Sequence, residues 1–372
     1  MTHARVTVLG AGDAGRALAG LAARAGAEVT VWNRGARRLA DLRSGELTLL
    51  DPAGRAAVVR LRVEADLTVA CADAGLVLLA VSSAEQAELV VRAWPHVRQA
   101  RAVVLVPGHT GGVLAARHAL GDAPGPALAE MPLPFVCRGT GPAEVQVRQH
   151  KTQVPVAVLP AAGTEDLAAA LAALYPGVRA ASGLWETGLG NVTAVSQPVL
   201  ALTNLARIDR AEPFAIYTDG VSPAVGRMIE ALDRERLALA DALGVRVPGV
   251  LAWFHRVYGT AADTVAGCFA DAPGYAGIAA PTSVRHRFLA EHVRTGAVPM
   301  AALAQAAGSP HAVLDGLVEL ACAATGEDLR ATGRTLAAMG FPDDATIADL
   351  RTTDRRFAEL VGTATPAAKG AE

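Results

Sequence analysis

The stretch "VTVLGAGDAGRALAGLAARAGAEVTVWNR", residues 6–34, decides the fold. Its first four residues are apolar or β-branched and read as a buried strand. A glycine-rich turn follows, then an alanine-rich helix to about Arg24, then a second strand in "AEVTVWNR". The turn holds Gly10-x-Gly12-x-x-Gly15. In such a turn the first glycine permits the tight bend and the second lets the backbone approach a pyrophosphate. The third lets the helix pack close to the strand. The helix N-terminus then presents free amide groups to phosphate oxygens. Gly10, Ala11, Gly12, Asp13, Ala14 and Gly15 are therefore the expected dinucleotide cradle. The bland alternative is a glycine turn in an α/β domain that binds nothing.

The end of the second strand bears on which dinucleotide. An acidic residue there would accept hydrogen bonds from the adenosine ribose of NAD. The residues present are Asn33 and Arg34, with Arg37 and Arg38 one turn on. Guanidinium groups suit a phosphate, so NADP is expected ahead of NAD. The competing reading is a solvated helix start. Two further loops, "LAVSSAEQ" (79–86) and "LVPGHTGG" (105–112), follow the next two strand patterns. Ligands bind at the carboxyl ends of strands in such sheets, so Ser82, Gly108 and His109 are candidates to border the nicotinamide. His109 reads as a partly exposed loop residue ahead of a catalytic one.

Strand and helix patterns alternate to about residue 182, which predicts a doubly wound, mostly parallel α/β sheet of Rossmann type. Beyond it the periods are helical, over 191–207, 222–243, 249–258, 281–293, 299–307, 310–324 and 327–339. The expected domains are 1–182 for the dinucleotide and 183–363 for an all-α substrate domain, with a flexible tail at 364–372. The 372 residues carry a net charge of −2, which points to neither nucleic acid nor membrane as a partner. Four scattered cysteines and nine histidines form no zinc-type or disulfide spacing, so no metal is expected. The chain enters a strand almost at once and has no clean 18-residue apolar run, so a cytoplasmic protein is expected.

One helix is odd. In "NVTAVSQPVLALTN" (191–204), Thr193, Gln197 and Asn204 share one face of an apolar segment. A solvated face would use charged residues; uncharged hydrogen-bonding groups suggest a pocket wall or a buried polar surface.

The order of motifs, from the glycine turn through "VPGHTGG", "AEMPLPFVCR", "NVTAVSQPVLALTNLARID", "WFHRVYG" and "APTSVRHRFLAEHVRTGAVPM", resembles the opine (octopine/nopaline) dehydrogenase family over almost the whole chain. The resemblance implies a helical domain of the 6-phosphogluconate dehydrogenase C-terminal type and an active-site cleft between the two domains. It also implies condensation of an amine with a 2-oxo acid, followed by reduction of the imine with NAD(P)H. The family usually reads N-x-x-x-x-x-H-P where this chain has Asn191 to Pro198, so Gln197 stands at the catalytic histidine's position. The aspartate expected to work with that histidine is His292, and the carboxylate-binding arginine is Arg287. Both members of the usual acid–base pair are thus changed. Gln197, His292 and Arg287 are the expected catalytic residues; Asn191, Thr193, Asn204 and Arg287 are expected to meet substrate. For Arg287 the plain alternative is an ion pair with Glu291, four residues on. Glu130 and Arg138 form either an ion pair or a cofactor contact. Small acids are the expected substrates and a homodimer the expected assembly. Two other functions remain open: a 2-oxo acid or alcohol reductase that condenses no amine, and an NADP-binding regulatory protein that has lost catalysis.

Overall fold

The computed structural model describes residues 4–353; the expected tail at 364–372 lies outside them. Twelve strands precede residue 181: β1 (Arg5–Leu9), β2 (Glu28–Trp32), β3 (Glu46–Leu50), β4 (Ala56–Arg60), β5 (Arg62–Glu64), β6 (Leu76–Leu79), β7 (Ala102–Leu105), β8 (Ala127–Glu130), β9 (Phe135–Gly141), β10 (Glu144–His150), β11 (Val154–Leu159) and β12 (Val178–Ala180). Eight form one sheet in the order β12-β11-β8-β7-β6-β1-β2-β5. It is parallel except where β11 runs against β8. β1, β6 and β7 are buried along their whole length or nearly so, as their unbroken apolar runs require of strands covered on both faces.

The doubly wound, mostly parallel sheet expected from sequence is present. The structure adds a second, four-stranded sheet, β4-β3-β10-β9, which the sequence reading did not separate from the first. Leu47, Leu49, Val145 and Val147 of that sheet join the core cluster that holds Leu18 of the first helix (Asp13–Arg24). Its period-2 strands bury one face against this helix and leave the other wet. β6 lies on one side of β1 and β2 on the other, both parallel to it, so the switch in strand order falls beside the glycine turn.

From residue 184 onward the described elements are helices, apart from one isolated bridge between Ala215 and Ala279. The long ones are Pro223–Ala242 and Ala312–Thr325. Two expected helices are absent. Over 281–289 the chain makes turns, and only Ala290–His292 is helical before a π-helical turn, Val293–Ala297. Over 327–336 the chain is again turns, ending in a 3₁₀ turn at Ala337–Met339. Ser283 and Asp328 explain part of this: their side chains accept from backbone amides two or three residues on, an alternative to helix pairing. A helix at Val265–Asp271 was not expected from sequence. Among the described residues no helix is long and apolar enough to cross a membrane.

Candidate active site

A cleft of about 960 Å³ runs from the glycine turn to the helical half of the chain. Gly10, Gly12, Asp13 and Ala14 line its cofactor end, with Ser82 and Gly108 from the loops after β6 and β7. Gly10 has φ +123°, and a Cβ there would lie 2.4 Å from the Ala80 carbonyl oxygen. A Cβ on Gly15 would lie 1.8 Å from the Gly10 carbonyl oxygen, so this glycine sets the approach of helix to strand rather than touching the cleft. No side chain caps the first helix, which leaves its first amides facing the turn. The Asp13 carboxylate is turned aside, accepting from the Gly139 N–H at 2.8 Å and from Arg16.

Several expected cofactor contacts move. The Ala11 N–H does not face the cleft: it donates to the Asn33 side-chain oxygen at 3.1 Å, and the Asn33 amide donates to the Gly35 carbonyl. Asn33 therefore braces the glycine turn against the end of β2. Arg37 is exposed and lies outside the cleft; Arg38 lines it instead, its guanidinium 2.7 Å from where a Gly12 Cβ would stand. Arg34 lines the cleft and pairs with Glu85 at 2.8 Å.

At the substrate end, Asn191, Thr193 and Gln197 line the cleft, together with Tyr217, Arg287 and His292. Gln197 donates to the Tyr217 hydroxyl at 2.9 Å, while its amide oxygen is buried without a partner among the described residues. Asn204 does not belong to this wall. The helix ends at Thr203, and Asn204 donates to the Leu200 and Gly220 carbonyls, fastening the loop at Gly220 to the helix end. The residue sits where the helix stops, so the periodic argument that grouped it with Thr193 and Gln197 fails there.

Arg287 makes no ion pair with Glu291. That carboxylate accepts from the Ser83 N–H and hydroxyl, both at 2.8 Å, tying the β6 loop to the helical half. The Arg287 guanidinium is exposed and without a hydrogen bond among the described residues. Glu130 does not pair with Arg138 either. It accepts from the Thr187 hydroxyl at 2.6 Å and from the Val113 N–H at 3.0 Å, and burial pushes its carboxyl up.

His109 is buried rather than partly exposed, at φ +59°. The His292 ring stands 4.9 Å from it, and the His292 Nδ1 has no partner among the described residues. Burial holds both imidazoles neutral: His109 is pulled down to about 3 and His292 well below the usual histidine value. Lys151, also on the cleft, is pulled down to about 8 by burial.

Arg334 was missed from sequence. It is 7% exposed and donates to the carbonyls of Gly108, Thr110 and Ser83, at 3.2, 2.7 and 3.2 Å. One guanidinium thus clasps the loops after β6 and β7 together. The only sequence signal was a lone arginine in the apolar run "TGRTLAAMG".

A glycine-cradled crevice at the sheet's switch point, roofed by a helical half, defines an NAD(P)-dependent dehydrogenase. Residues 180–325 match the family described as NAD/NADP octopine/nopaline dehydrogenase, alpha-helical domain, and residues 5–114 match the NAD-dependent glycerol-3-phosphate dehydrogenase N-terminus. The opine dehydrogenase of Arthrobacter sp. (strain 1C) is 31% identical over 338 residues, 90% of this chain and 94% of that protein. The chain belongs to the opine dehydrogenase family. Its fold is similar to that of octopine dehydrogenase solved with NADH and L-arginine, at TM-score 0.76, 23% identity and coverage of 94% and 98% of the two chains. It is likewise similar to yersinopine dehydrogenase with NADP+ bound, at TM-score 0.71, 19% identity and coverage of 95% and 99%.

Proposed function

We propose that this dehydrogenase condenses an amine with a 2-oxo acid and reduces the resulting imine in the cleft between its dinucleotide half (1–182) and its helical half (183–363). One observation carries the reading: an unpaired guanidinium, Arg287, and a partnerless amide oxygen, Gln197 Oε1, share one cleft with a dinucleotide turn. Arg287 holds the oxo acid's carboxylate as a two-pronged donor. Gln197 is fixed by Tyr217 at one end of its amide, which leaves its oxygen to accept from the attacking amine's N–H. Asn191 and Thr193 support the wall, the Thr193 hydroxyl donating to the Asn191 side-chain oxygen at 2.5 Å. Gly10, Gly12 and Ala14 cradle the dinucleotide, and Ser82 and Gly108 border its reactive ring. When bound, the reduced nicotinamide supplies hydride to the imine carbon. We further propose NADPH over NADH. Arg34 and Arg38 stand at the ribose side, and the exposed Arg34–Glu85 pair is of the weak kind that a phosphate displaces. In this reading the enzyme works in the cytoplasm, as a homodimer, on small acids.

An amide cannot titrate near neutral pH, so Gln197 orients and does not protonate. The proton comes from the opposite, histidine side of the cleft, where His292 stands. Cofactor oxidation with a mixed panel of amines and 2-oxo acids tests the function. Turnover that needs both components supports condensation. Turnover on the oxo acid alone would make the protein a simple reductase, and tight cofactor binding without turnover would mean that catalysis has lapsed.

A further inference from the structure

His109 is a buried titratable group on the cleft that the roles above leave unused. Its backbone sits in the left-handed region, which among the described residues only one other non-glycine residue, Ala211, shares. Such a conformation persists only where neighbours enforce it. Here the enforcement is visible. Arg334 donates to the carbonyls on both sides of His109, the Thr110 hydroxyl donates to the Gly188 carbonyl at 2.9 Å, and the Thr110 N–H donates to the Thr295 carbonyl. The loop is held so that the imidazole enters the cleft.

The tautomer is set as well. The Thr193 hydroxyl engages the Asn191 side-chain oxygen, so the Asn191 amide nitrogen faces His109 Nδ1, at 3.3 Å. Nδ1 then accepts, and the ring's proton sits on Nε2. His292 has no such partner to fix its tautomer. Asn191 and Thr193 thus aim His109, while Gln197 occupies the position where the family carries a histidine.

We propose that His109 is the acid that expels the hydroxyl group of the carbinolamine, in place of the histidine that the family carries at position 197, with His292 beside it as a positioning residue. The proposal rests on the condensation reading above. A neutral imidazole is too weak an acid for the step, so the donor is the imidazolium, formed when the Asn191 amide turns over and its oxygen, released by the Thr193 hydroxyl, accepts from Nδ1–H. In the free enzyme burial opposes charge on His109, as do Arg334, Arg287 and Lys151, with the His292 ring 4.9 Å away. Around His292, Glu291 favours the charge, while Arg287, His286 and His109 oppose it. An incoming carboxylate against Arg287 cancels part of this field. The proton therefore enters with the substrate. The amine adds to the oxo carbon to give a carbinolamine. His109 Nε2 delivers its proton to the hydroxyl oxygen, the C–O bond breaks, water leaves, and the nitrogen lone pair forms the iminium. His109 returns to neutral, and hydride then converts the iminium to a secondary amine.

The His109→Asn variant tests the assignment, since asparagine tolerates a left-handed backbone. With a reactive amine and oxo-acid pair, kcat is expected to fall about 100-fold or more. The variant should also lose one limb of the kcat–pH profile and leave cofactor affinity unchanged. A second readout needs no turnover. Titration with oxamate, an unreactive mimic of a 2-oxo acid, in buffers of different ionisation enthalpy measures proton uptake. The wild-type protein should take up a proton on binding, and His109→Asn should not. Wild-type turnover that survives in the variant with its pH limb intact would overturn the His109 assignment and leave the condensation reading standing. Absence of proton uptake in the wild type, or equal uptake in the variant, would overturn the assignment whether or not the protein proves to condense. A wild type that oxidises cofactor with the oxo acid alone would instead overturn the reading beneath it.

Discussion

The two ends of the cleft satisfy their polar groups in opposite ways. At the cofactor end, backbone geometry does most of the shaping: glycines where a Cβ would collide, Asn33 closing on the turn, Asp13 and Arg16 paired with each other and with β9 residues and the turn after them, with the Arg16 Nε left unmet among the described residues. At the substrate end, side chains are left open: the Gln197 amide oxygen, the His292 Nδ1 and the Arg287 guanidinium all lack partners among the described residues. A cradle for a ligand common to many enzymes is built from features that tolerate little change. A wall for a particular substrate is built from groups whose partners arrive with it, because a buried polar atom left unmet costs about 1–3 kcal/mol until something meets it.

That contrast can be broken by substitution, beginning at the rigid end. Gly15→Ala would place a methyl group 1.8 Å from the Gly10 carbonyl oxygen. The turn must shift, and dinucleotide affinity should fall by about 100-fold or more, equivalent to ~2.7 kcal/mol. Cofactor fluorescence titration reads this directly. An alanine variant that binds normally would mean that the turn is not the cradle.

At the open end, Arg287→Lys keeps the charge and loses the fork. The KM for the oxo acid should rise about 10-fold with cofactor affinity unchanged. An unchanged KM would return Arg287 to a solvated role. Gln197→Ala should lower kcat by less, roughly 3- to 10-fold, because only orientation is lost; a larger drop than that of His109→Asn would move the proton back to the helix side.

A smaller effect tests the electrostatics. His109 stays neutral in the fold down to about pH 3, whereas in the unfolded chain it titrates near 6.5. Between those values the unfolded state binds more protons. The stability this group contributes is therefore complete above about pH 6.5 and is lost as pH falls toward 3, at up to about 1.4 kcal/mol per unit. Urea unfolding of the His109→Asn variant should show a shallower loss over that range. An identical slope would mean that His109 is not held neutral.

The same contrast explains what could be read from residues alone. The glycine turn is local: strand, bend and helix lie within thirty residues, and each glycine answers a constraint of its own backbone. Thr193 and Gln197 were legible because a helix repeats. Asn204 was not, because the helix stops at Thr203 and its side chain turns to Gly220. Arg37 and Arg38 are neighbours in sequence, and only the direction of a short helix decides which one reaches Gly12. Arg334, the Ser83 contact of Glu291 and the burial of His109 stayed hidden for a different reason. Their partners lie far away in sequence, Ser83 for Arg334 and Glu291, Asn191 for His109. No local pattern marks an arginine that clasps two distant loops. The turns at 281–289 were misread because apolar spacing there mimics a helix, while Ser283 offers the backbone another partner.

The most direct test of the account uses isotopes. Cofactor carrying deuterium on the transferable position is mixed with a ¹⁵N-labelled amine, a 2-oxo acid and the protein, and the product is weighed by mass spectrometry. The account predicts a single secondary amine that holds both labels, with the nitrogen bonded to the deuterated carbon. A deuterated 2-hydroxy acid with the amine left unreacted would contradict it.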